Sequence, residues 1–122
     1  MVSPQRVMIV KNANDPEVIR SSHMLPRGIN FRLLMAENLL RGLEYVAYVV
    51  LLPGQQMDEH IDQVEEVHFV CRGRGIMQVE EEEREVKERD AIWVPAGSAH
   101  SLRNPTGERL EVLIVGAYPR RR

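Results

Sequence analysis

The sequence predicts an all-β sandwich or barrel from about residue 44 onward, and three observations predict it. Short apolar or alternating runs follow one another through this region, and valine and isoleucine are prominent in most of them. Turn residues separate the runs at regular intervals. Several short strands with turn signals between them are typical of sandwiches and barrels. The turn signals are Pro53-Gly54, Gly73 to Gly75, Pro95 to Gly97 and Pro105 to Gly107.

Five strands are predicted in this region. The first and the last of them are apolar on both faces, which indicates burial between two sheets or beneath a partner subunit. The sequence therefore predicts a homodimer. The predicted strands are Tyr45 to Leu52, Glu66 to Cys71, Ile76 to Val79, Ala91 to Val94 and Leu110 to Val115.

The segment before the barrel is predicted in less detail. Arg6 to Val10 has the pattern of an N-terminal edge strand, which we expect to contribute to the dimer, and Lys11 to Arg27 that of a loop with one short turn. The pattern of Phe31 to Leu40 fits either a helix or a strand. The helical spacing is that of Phe31, Leu34, Met35 and Leu39, and the strand alternation is that of Phe31, Leu33 and Met35.

Length and composition predict one domain over residues 1–122, with the barrel core at about 43–116 and N-terminal strands and loops at 1–42. A chain of 122 residues with 43% hydrophobic and 28% charged residues is ordinary for a globular domain. The formal net charge of -2 gives no field that would attract a phosphate backbone, so nucleic acid is not an expected partner. The apolar runs are too short to cross a bilayer, so no membrane association is expected.

The single cysteine helps to predict where in the cell the protein is located. Cys71 cannot form an intramolecular disulfide, and no apolar run of signal-peptide length follows Met1, so we predict a reducing, cytoplasmic setting. Cys71 has no base partner in sequence and is predicted to be a buried structural thiol. The acidic run Glu80 to Glu83 is predicted to form a solvated turn, and Arg120 to Arg122 a soluble tail.

Potential metal ligands fall into two groups. His60, Asp62 and Glu66 lie beside one turn, and His100 follows Glu66 by 34 positions. Side chains of equal parity share one face of a strand, so His60 would point with Asp62, and His68 with Glu66. Carboxylates gathered on an inner face need protons or a cation to compensate their desolvation. A bound metal ion satisfies this requirement.

These residues resemble the two motifs of the cupin superfamily, G-x5-H-x-H-x3-E-x6-G and G-x5-P-x-G-x2-H-x3-N. Two positions depart from the motifs: Asp62 replaces the second histidine, and Arg89 replaces the glycine that opens the second motif. Eight positions match, and the resemblance covers about half of the chain. The matching residues are Gly54, His60, Glu66, Gly73, Pro95, Gly97, His100 and Asn104.

The resemblance implies a double-stranded β-helix, or jelly-roll barrel, with a metal ion near one mouth held by His60, Glu66 and His100. Asp62 allows three interpretations: a fourth ligand, a side chain turned away from a facial triad of two histidines and one carboxylate, or a sign that the barrel has lost its metal. Oxygen donors favour Fe or Mn, with Zn or Ni as alternatives.

Two further residues are candidates for chemistry. His68 follows Glu66 into the barrel and could be a hydrogen-bond donor behind the metal, a general acid/base, or only a satisfied polar residue. Tyr45 could donate its phenol to a substrate or simply pack. Strand parity predicts a largely apolar cavity lined by Tyr45, Ala47 and Val49 on one strand and by Leu110, Val112 and Ile114 on another.

Fold resemblance alone does not select a reaction, because the superfamily includes oxygenases, isomerases, lyases and binding proteins. Our leading hypothesis is a metal-dependent enzyme acting on a small, oxygen-bearing organic substrate chelated to the metal, of the dioxygenase or the isomerase/lyase type. The alternative is a non-catalytic module that binds a small molecule. A metal-free acid/base isomerase using His68 or His100 with Asp62 ranks third.

Overall fold

The computed structural model describes residues 8–36 and 39–120, with the side chain of Arg27 left aside. The described chain contains ten strands, one single-turn α-helix and one 3-10 turn. In chain order they are α1 (Pro16–Arg20), β1 (His23–Leu25), the 3-10 turn Pro26–Gly28, β2 (Ile29–Ala36), β3 (Tyr45–Leu51), β4 (Gln56–Ile61), β5 (Glu65–Arg72), β6 (Arg74–Val79), β7 (Glu82–Lys87), β8 (Ala91–Val94), β9 (Ala99–Arg103) and β10 (Leu110–Ala117).

The strands form two antiparallel sheets. The larger has the order β1-β2-β3-β10-β5-β8, and the smaller has the order β4-β9-β6-β7. Neighbours that are distant in sequence, such as β10 between β3 and β5, show that the chain passes between the sheets as in a jelly roll. The fold is therefore the all-β jelly roll that the sequence and the resemblance predicted.

The hydrophobic core lies between the inner faces of the two sheets. On β10 the buried positions alternate strictly, and Leu110, Val112 and Ile114 point inward. They pack with buried residues of the smaller sheet, among them Met77 and Leu102. Alternation of this kind places one side of each strand in the core and leaves the other side to solvent or to a partner.

All five predicted strands are present; β8 has the predicted ends, and the other four differ at one or both ends by one or two residues. The sequence missed β4, β7 and β9, whose residues are largely polar and whose hydrophobic alternation is correspondingly weak. The segment from Phe31 follows its strand interpretation, because β2 runs through Ala36. Residues 37 and 38 lie outside the described part of the chain.

The predicted N-terminal edge strand is wrong where it can be checked. Met8 to Val10 adopt no regular structure and pair with no described strand, and Met8 and Val10 are exposed. Arg6 and Val7 lie outside the described residues. The loop predicted for Lys11 to Arg27 contains α1 as its one short turn, together with β1.

Two residues of the predicted second motif have structural roles. Asn104 is 1% exposed. Its Nδ2 donates to the carbonyls of Leu51 and Glu108, and its Oδ1 accepts from the N–H and the hydroxyl of Thr106. Asn104 thus joins the end of β3 to the loop before β10 and leaves no buried amide atom unpaired.

Arg89 stands where the motif has glycine, and its φ of 75° explains that preference. A side chain in the left-handed region costs about 1–2 kcal/mol. We expect Arg89→Gly to raise the free energy of unfolding by roughly 0.5–1 kcal/mol, since the greater backbone entropy of glycine in the unfolded chain offsets part of the gain. Urea denaturation of the two proteins checks this, and a less stable variant would contradict it.

Candidate metal centre

The antiparallel pair β4 and β9 sets His60 directly opposite His100. The pairing of these strands shifts register between Met57 and His60, so that three steps along β4 match two steps along β9. This bulge lets both Met57 and His60 line the cavity although they have opposite parity. The two imidazole rings consequently lie close together, with their centroids 4.2 Å apart.

Each of these imidazoles is oriented by a backbone carbonyl. His60 Nδ1 lies 2.9 Å from the carbonyl oxygen of Asp58, and His100 Nδ1 lies 3.0 Å from that of Ser98. Because a carbonyl can only accept, the proton is assigned to Nδ1 in both rings, and Nε2 carries the free lone pair. This is the arrangement by which proteins present histidine to a metal ion.

The Nε2 atom of His100 is the clearest sign of a site. The side chain is 2% exposed, and Nε2 is buried without a hydrogen-bond partner within the described residues. A buried polar atom without a partner is costly and calls for an explanation. A metal ion bound at this lone pair would provide one.

Glu66 reaches the same place from β5, in the other sheet. Its carboxylate accepts two hydrogen bonds, one from the Tyr45 hydroxyl at Oε2 and one from His68 Nε2 at Oε1, the latter over 2.7 Å. Both Glu66 and His68 are almost fully buried. The two donors fix the carboxylate in one orientation, so that Oε1 lies 3.6 Å from His100 Nε2.

Asp62 completes the group. Its Oδ2 lies 3.2 Å from His60 Nε2 and 3.9 Å from His100 Nε2. Ligand atoms bound at about 2.1 Å are separated by roughly 3.0 Å in an octahedral and 3.4 Å in a tetrahedral site. The separations here are close to those values, so the residues fit a divalent metal ion. His60, Asp62 and His100 could hold an ion, with Glu66 Oε1 adjacent.

Glu66, His68 and His100 form a second, fully buried trio with ligand atoms close enough for an ion. In this trio His68 Nε2 faces the Glu66 carboxylate and donates to it, so that nitrogen is not available to a metal. His68 Nδ1 is buried without a partner among the described residues. His68 therefore orients Glu66 in this structure instead of adding a ligand.

The surroundings shift three pKa values. Burial raises the pKa of Glu66, but the hydrogen bond and the charge of His68, together with the Tyr45 hydroxyl, outweigh it and lower the pKa below 4.5. Burial and the hydrogen bond to Glu66 raise the pKa of Tyr45, so its hydroxyl stays protonated as a donor. Burial lowers the pKa of His100 below 6.5 and keeps its imidazole neutral.

The lowered pKa of His100 predicts a pH dependence for the metal-free protein. Below pH 6.5 the unfolded chain binds a proton at this residue that the folded protein does not bind, so the free energy of unfolding falls as the pH falls. One such group changes the free energy of unfolding by at most about 1.4 kcal/mol per pH unit. Urea denaturation between pH 7.5 and 5.5, above the range in which Glu66 titrates, measures the slope.

His100→Gln is the matched variant for this measurement. It keeps a polar side chain of similar length and removes the titrating group, so its slope should be smaller than that of the wild type. An unchanged slope would assign the pH dependence to other residues.

A cavity of about 660 Å³ opens above these residues. Tyr45 and Ile114 line it as predicted, but Ala47, Val49, Leu110 and Val112 do not; they are buried in the core beneath it. The cavity occupies only one end of the barrel, because apolar side chains fill the rest. Most of its lining surface is apolar, as predicted, and Asp58, Glu59 and His23 add polar groups to its walls.

The structure brings together the four predicted metal ligands, His60, Asp62, Glu66 and His100, and places both predicted catalytic residues, His68 and Tyr45, against Glu66. Sequence reasoning missed the contribution of the N-terminal segment to the cavity. His23, Leu25 and Pro26 line its wall, and no motif marked them.

One prediction about a side chain is wrong: Cys71 is exposed. Val70 and Cys71 have opposite parity on β5, so the burial of Val70 in the core directs Cys71 outward. The acidic run is exposed as predicted, but only Glu80 and Glu81 form the turn between β6 and β7, and Glu82 and Glu83 begin β7.

The fold and the site together define a class of protein. It is a small jelly-roll barrel in which two histidines and two carboxylates converge at one end and could hold a metal ion. Residues 47–116, more than half of the chain, match the family model of the cupin domain, and the chain belongs to the cupin family. An uncharacterized protein of Methanocaldococcus jannaschii is 28% identical over 95 residues, which cover 75% of this chain and 74% of that protein.

Solved structures show the same architecture. A predicted oxalate decarboxylase of Thermotoga maritima superimposes with a TM-score of 0.79 at 20% identity, over 91% of this chain and 100% of that one. A Cupin 2 conserved barrel domain protein of Salinispora arenicola superimposes with a TM-score of 0.73 at 21% identity, over 92% and 90%. At these identities the likeness concerns the fold.

Within the described residues, no helix has the length and apolar character needed to cross a bilayer.

Proposed function

We propose that this chain is a metal-dependent cupin enzyme that acts on a small, oxygen-bearing organic substrate. The observation that carries the proposal is the orientation of the two histidines. His60 and His100 both hold Nδ1 against a backbone carbonyl and turn Nε2 toward Asp62, and His100 Nε2 has no other described hydrogen-bond partner. Two carboxylates beside two imidazoles provide the donors and the charge that a divalent cation requires.

In this proposal His60, Asp62, His100 and Glu66 hold the ion, with Fe or Mn expected from the oxygen donors and Zn or Ni as alternatives. A divalent ion here supplies charge stabilisation and a template for orienting substrate oxygens. Tyr45 and His68 position Glu66 by hydrogen-bonding its two carboxylate oxygens. His68 is also a candidate to hold or release a proton next to the substrate, and Tyr45 a candidate donor to it.

The reaction is of the dioxygenase or the isomerase/lyase type. Consumption of oxygen on substrate addition, followed with an oxygen electrode, separates the two. At 20% identity, the likeness to the predicted oxalate decarboxylase of Thermotoga maritima concerns the fold alone. We therefore do not extend oxalate decarboxylation to this chain. A cytoplasmic location stays a prediction.

Elemental analysis of protein purified without added metal is the first test. We expect about one divalent ion per chain, and we expect chelation to lower the melting temperature, since an ion that binds only the folded state stabilises it. Protein without metal, whose thermal stability is unchanged in chelator, would contradict the proposal and favour a non-catalytic module that binds a small molecule.

A further inference from the structure

Gly116 on β10 stands between Tyr45 and Glu66, and we infer that it is a positioning residue of the candidate metal centre. Its missing side chain lets Tyr45 cross β10 and donate its hydroxyl to Glu66. This inference rests on the proposed function, because it concerns how one of the proposed ligands is held. Gly116 belongs to neither of the two sequence motifs.

The register of the larger sheet puts these three residues in one row. Gly116 pairs with Tyr45 of β3 on one side and with Glu66 of β5 on the other. Neighbouring strands lie about 4.8 Å apart, so the backbones of Tyr45 and Glu66 are separated by roughly 10 Å. A side chain that joins them must pass over the strand in between.

Tyr45 passes over β10 at Gly116. A Cβ added to Gly116 would lie 2.5 Å from Cζ and 2.8 Å from the hydroxyl oxygen of Tyr45, so the end of the phenol ring occupies the space that a side chain would fill. Carbon atoms in contact are normally at least about 3.5 Å apart. Even a methyl group at position 116 would therefore overlap the ring.

The backbone conformation does not require glycine at this position. Gly116 lies inside β10 without the positive φ of Gly54 or Gly73. A glycine within a strand weakens the strand and often marks a place where another group approaches closely. The close approach of Tyr45 is therefore the feature of the structure that accounts for glycine here.

An overlap at position 116 would move the tyrosine ring and not the strand. Gly116 is paired on both sides, and its carbonyl also accepts a hydrogen bond from the Glu44 N–H over 2.7 Å. Tyr45, in contrast, lines the open cavity, into which its ring can rotate. Gly116→Ala should therefore leave the sheet intact and separate the Tyr45 hydroxyl from Glu66.

The Tyr45 hydroxyl holds one of the two oxygens of a proposed ligand. It donates to Glu66 Oε2, while His68 Nε2 donates to Oε1 over 2.7 Å. With both oxygens held, the carboxylate keeps Oε1 at 3.6 Å from His100 Nε2. Without the hydroxyl the carboxylate is held at one oxygen only, and a metal ion then binds a less ordered ligand at lower affinity.

Titration of Mn²⁺ into the metal-free protein, with the free ion followed by electron paramagnetic resonance, tests the inference. We expect Gly116→Ala and Tyr45→Phe each to lower the affinity for Mn²⁺ about tenfold, a loss typical of removing a group that orients a metal ligand. The double variant should also lose about tenfold, because the same hydrogen bond can be lost only once. Independent effects would multiply to about a hundredfold and would contradict the inference.

Tyr48→Phe is the matched control for the loss of a hydroxyl. Tyr48 lies on the same strand as Tyr45, between the buried residues Ala47 and Val49, so its side chain points to the other face of the sheet. The affinity for Mn²⁺ should be unchanged in this variant. A tenfold loss there would show that the effect of Tyr45→Phe is not specific to the hydroxyl beside Glu66.

Urea denaturation of the metal-free protein repeats the comparison without an ion. Gly116→Ala and Tyr45→Phe should each lower the free energy of unfolding. The double variant should lose less than the sum of the two single losses, since both changes remove the same hydrogen bond. Losses that add up would assign Gly116 a packing role separate from the Tyr45 hydroxyl and would overturn the inference.

A companion pair of variants keeps the inference testable if Gly116→Ala does not fold, as circular dichroism would show. Tyr45→Ala removes the ring that the added methyl group would overlap. Gly116→Ala introduced into Tyr45→Ala should therefore leave the urea midpoint and the affinity for Mn²⁺ nearly unchanged. A large further loss of stability in this background would show that the methyl group overlaps something other than Tyr45, contrary to the inference.

The outcomes for the inference and for the proposed function are distinct. A wild type that binds Mn²⁺, together with an unchanged affinity in Gly116→Ala, would overturn the inference and leave the proposed function standing. A wild type that binds no metal ion would overturn the proposed function. The urea measurements would then decide by themselves whether Gly116 positions Tyr45 against Glu66.

Discussion

Replacing His100 by alanine should lower metal affinity by more than about a hundredfold, since loss of residues that merely support a ligand already costs tenfold to a hundredfold. Its Nε2 lies 3.6 Å from Glu66 and 3.9 Å from Asp62, at the centre of the donor group. Apart from His60, which is itself a proposed ligand, no neighbouring described side chain supplies an equivalent nitrogen, because His68 Nε2 donates to Glu66. Metal titration followed by elemental analysis measures the loss.

His23→Ala is the matched control for this variant. His23 lines the same cavity but stands on β1 and belongs to neither candidate ligand group, so its removal should leave one ion per chain. His60→Ala should behave like the His100 variant. Full metal content in both would remove the basis for the site, whereas loss of metal in the His23 variant would indicate a different set of ligands.

Gly73→Ala should destabilise the protein by about 3–5 kcal/mol, because it combines backbone strain with an overlap that cannot relax cheaply. Gly73 has a φ of 85°, and an added Cβ would lie 2.2 Å from the carbonyl oxygen of Arg109. That oxygen belongs to the backbone just before β10, the strand that pairs with both β3 and β5. The change in urea midpoint, with an unchanged m-value, measures the loss.

Alanine substitutions at two other glycines distinguish the cost of backbone strain from the cost of steric overlap. Gly54 has a φ of 84° but nothing within 4 Å of an added Cβ, so Gly54→Ala should cost only about 1–2 kcal/mol. Gly42 has neither feature, and Gly42→Ala should be neutral or slightly stabilising. Equal losses at Gly73 and Gly54 would show that the overlap with Arg109 relaxes easily.

The strands that could be predicted from sequence are those whose hydrophobic alternation is strong. β10 alternates without interruption and was predicted almost to its ends. β4 was missed because only Met57 of its residues is buried and because the bulge breaks the period on which strand prediction depends. The bulge that places His60 in the cavity is thus also the reason why its strand, β4, was not predicted.

The residues of the candidate site could be predicted where the spacing of the two motifs identifies them. His60, Glu66 and His100 converge because their strands meet in the resembled fold, and Asp62 joins them through its parity with His60. The detailed hydrogen bonding was not predictable. Whether His68 binds a metal or orients Glu66 depends on distances of a few tenths of an ångström. The exposure of Cys71 could be predicted only by knowing which face of β5 enters the core.

The donors of the candidate centre come from both halves of the sandwich. His60 and His100 belong to the four-stranded sheet, and Glu66 belongs to the six-stranded one. An ion held by all three would be a cross-link between layers whose inner faces otherwise meet through apolar side chains. Metal loading should then couple the opening motions of the two halves, so that amide hydrogens far apart in sequence exchange as one cooperative unit.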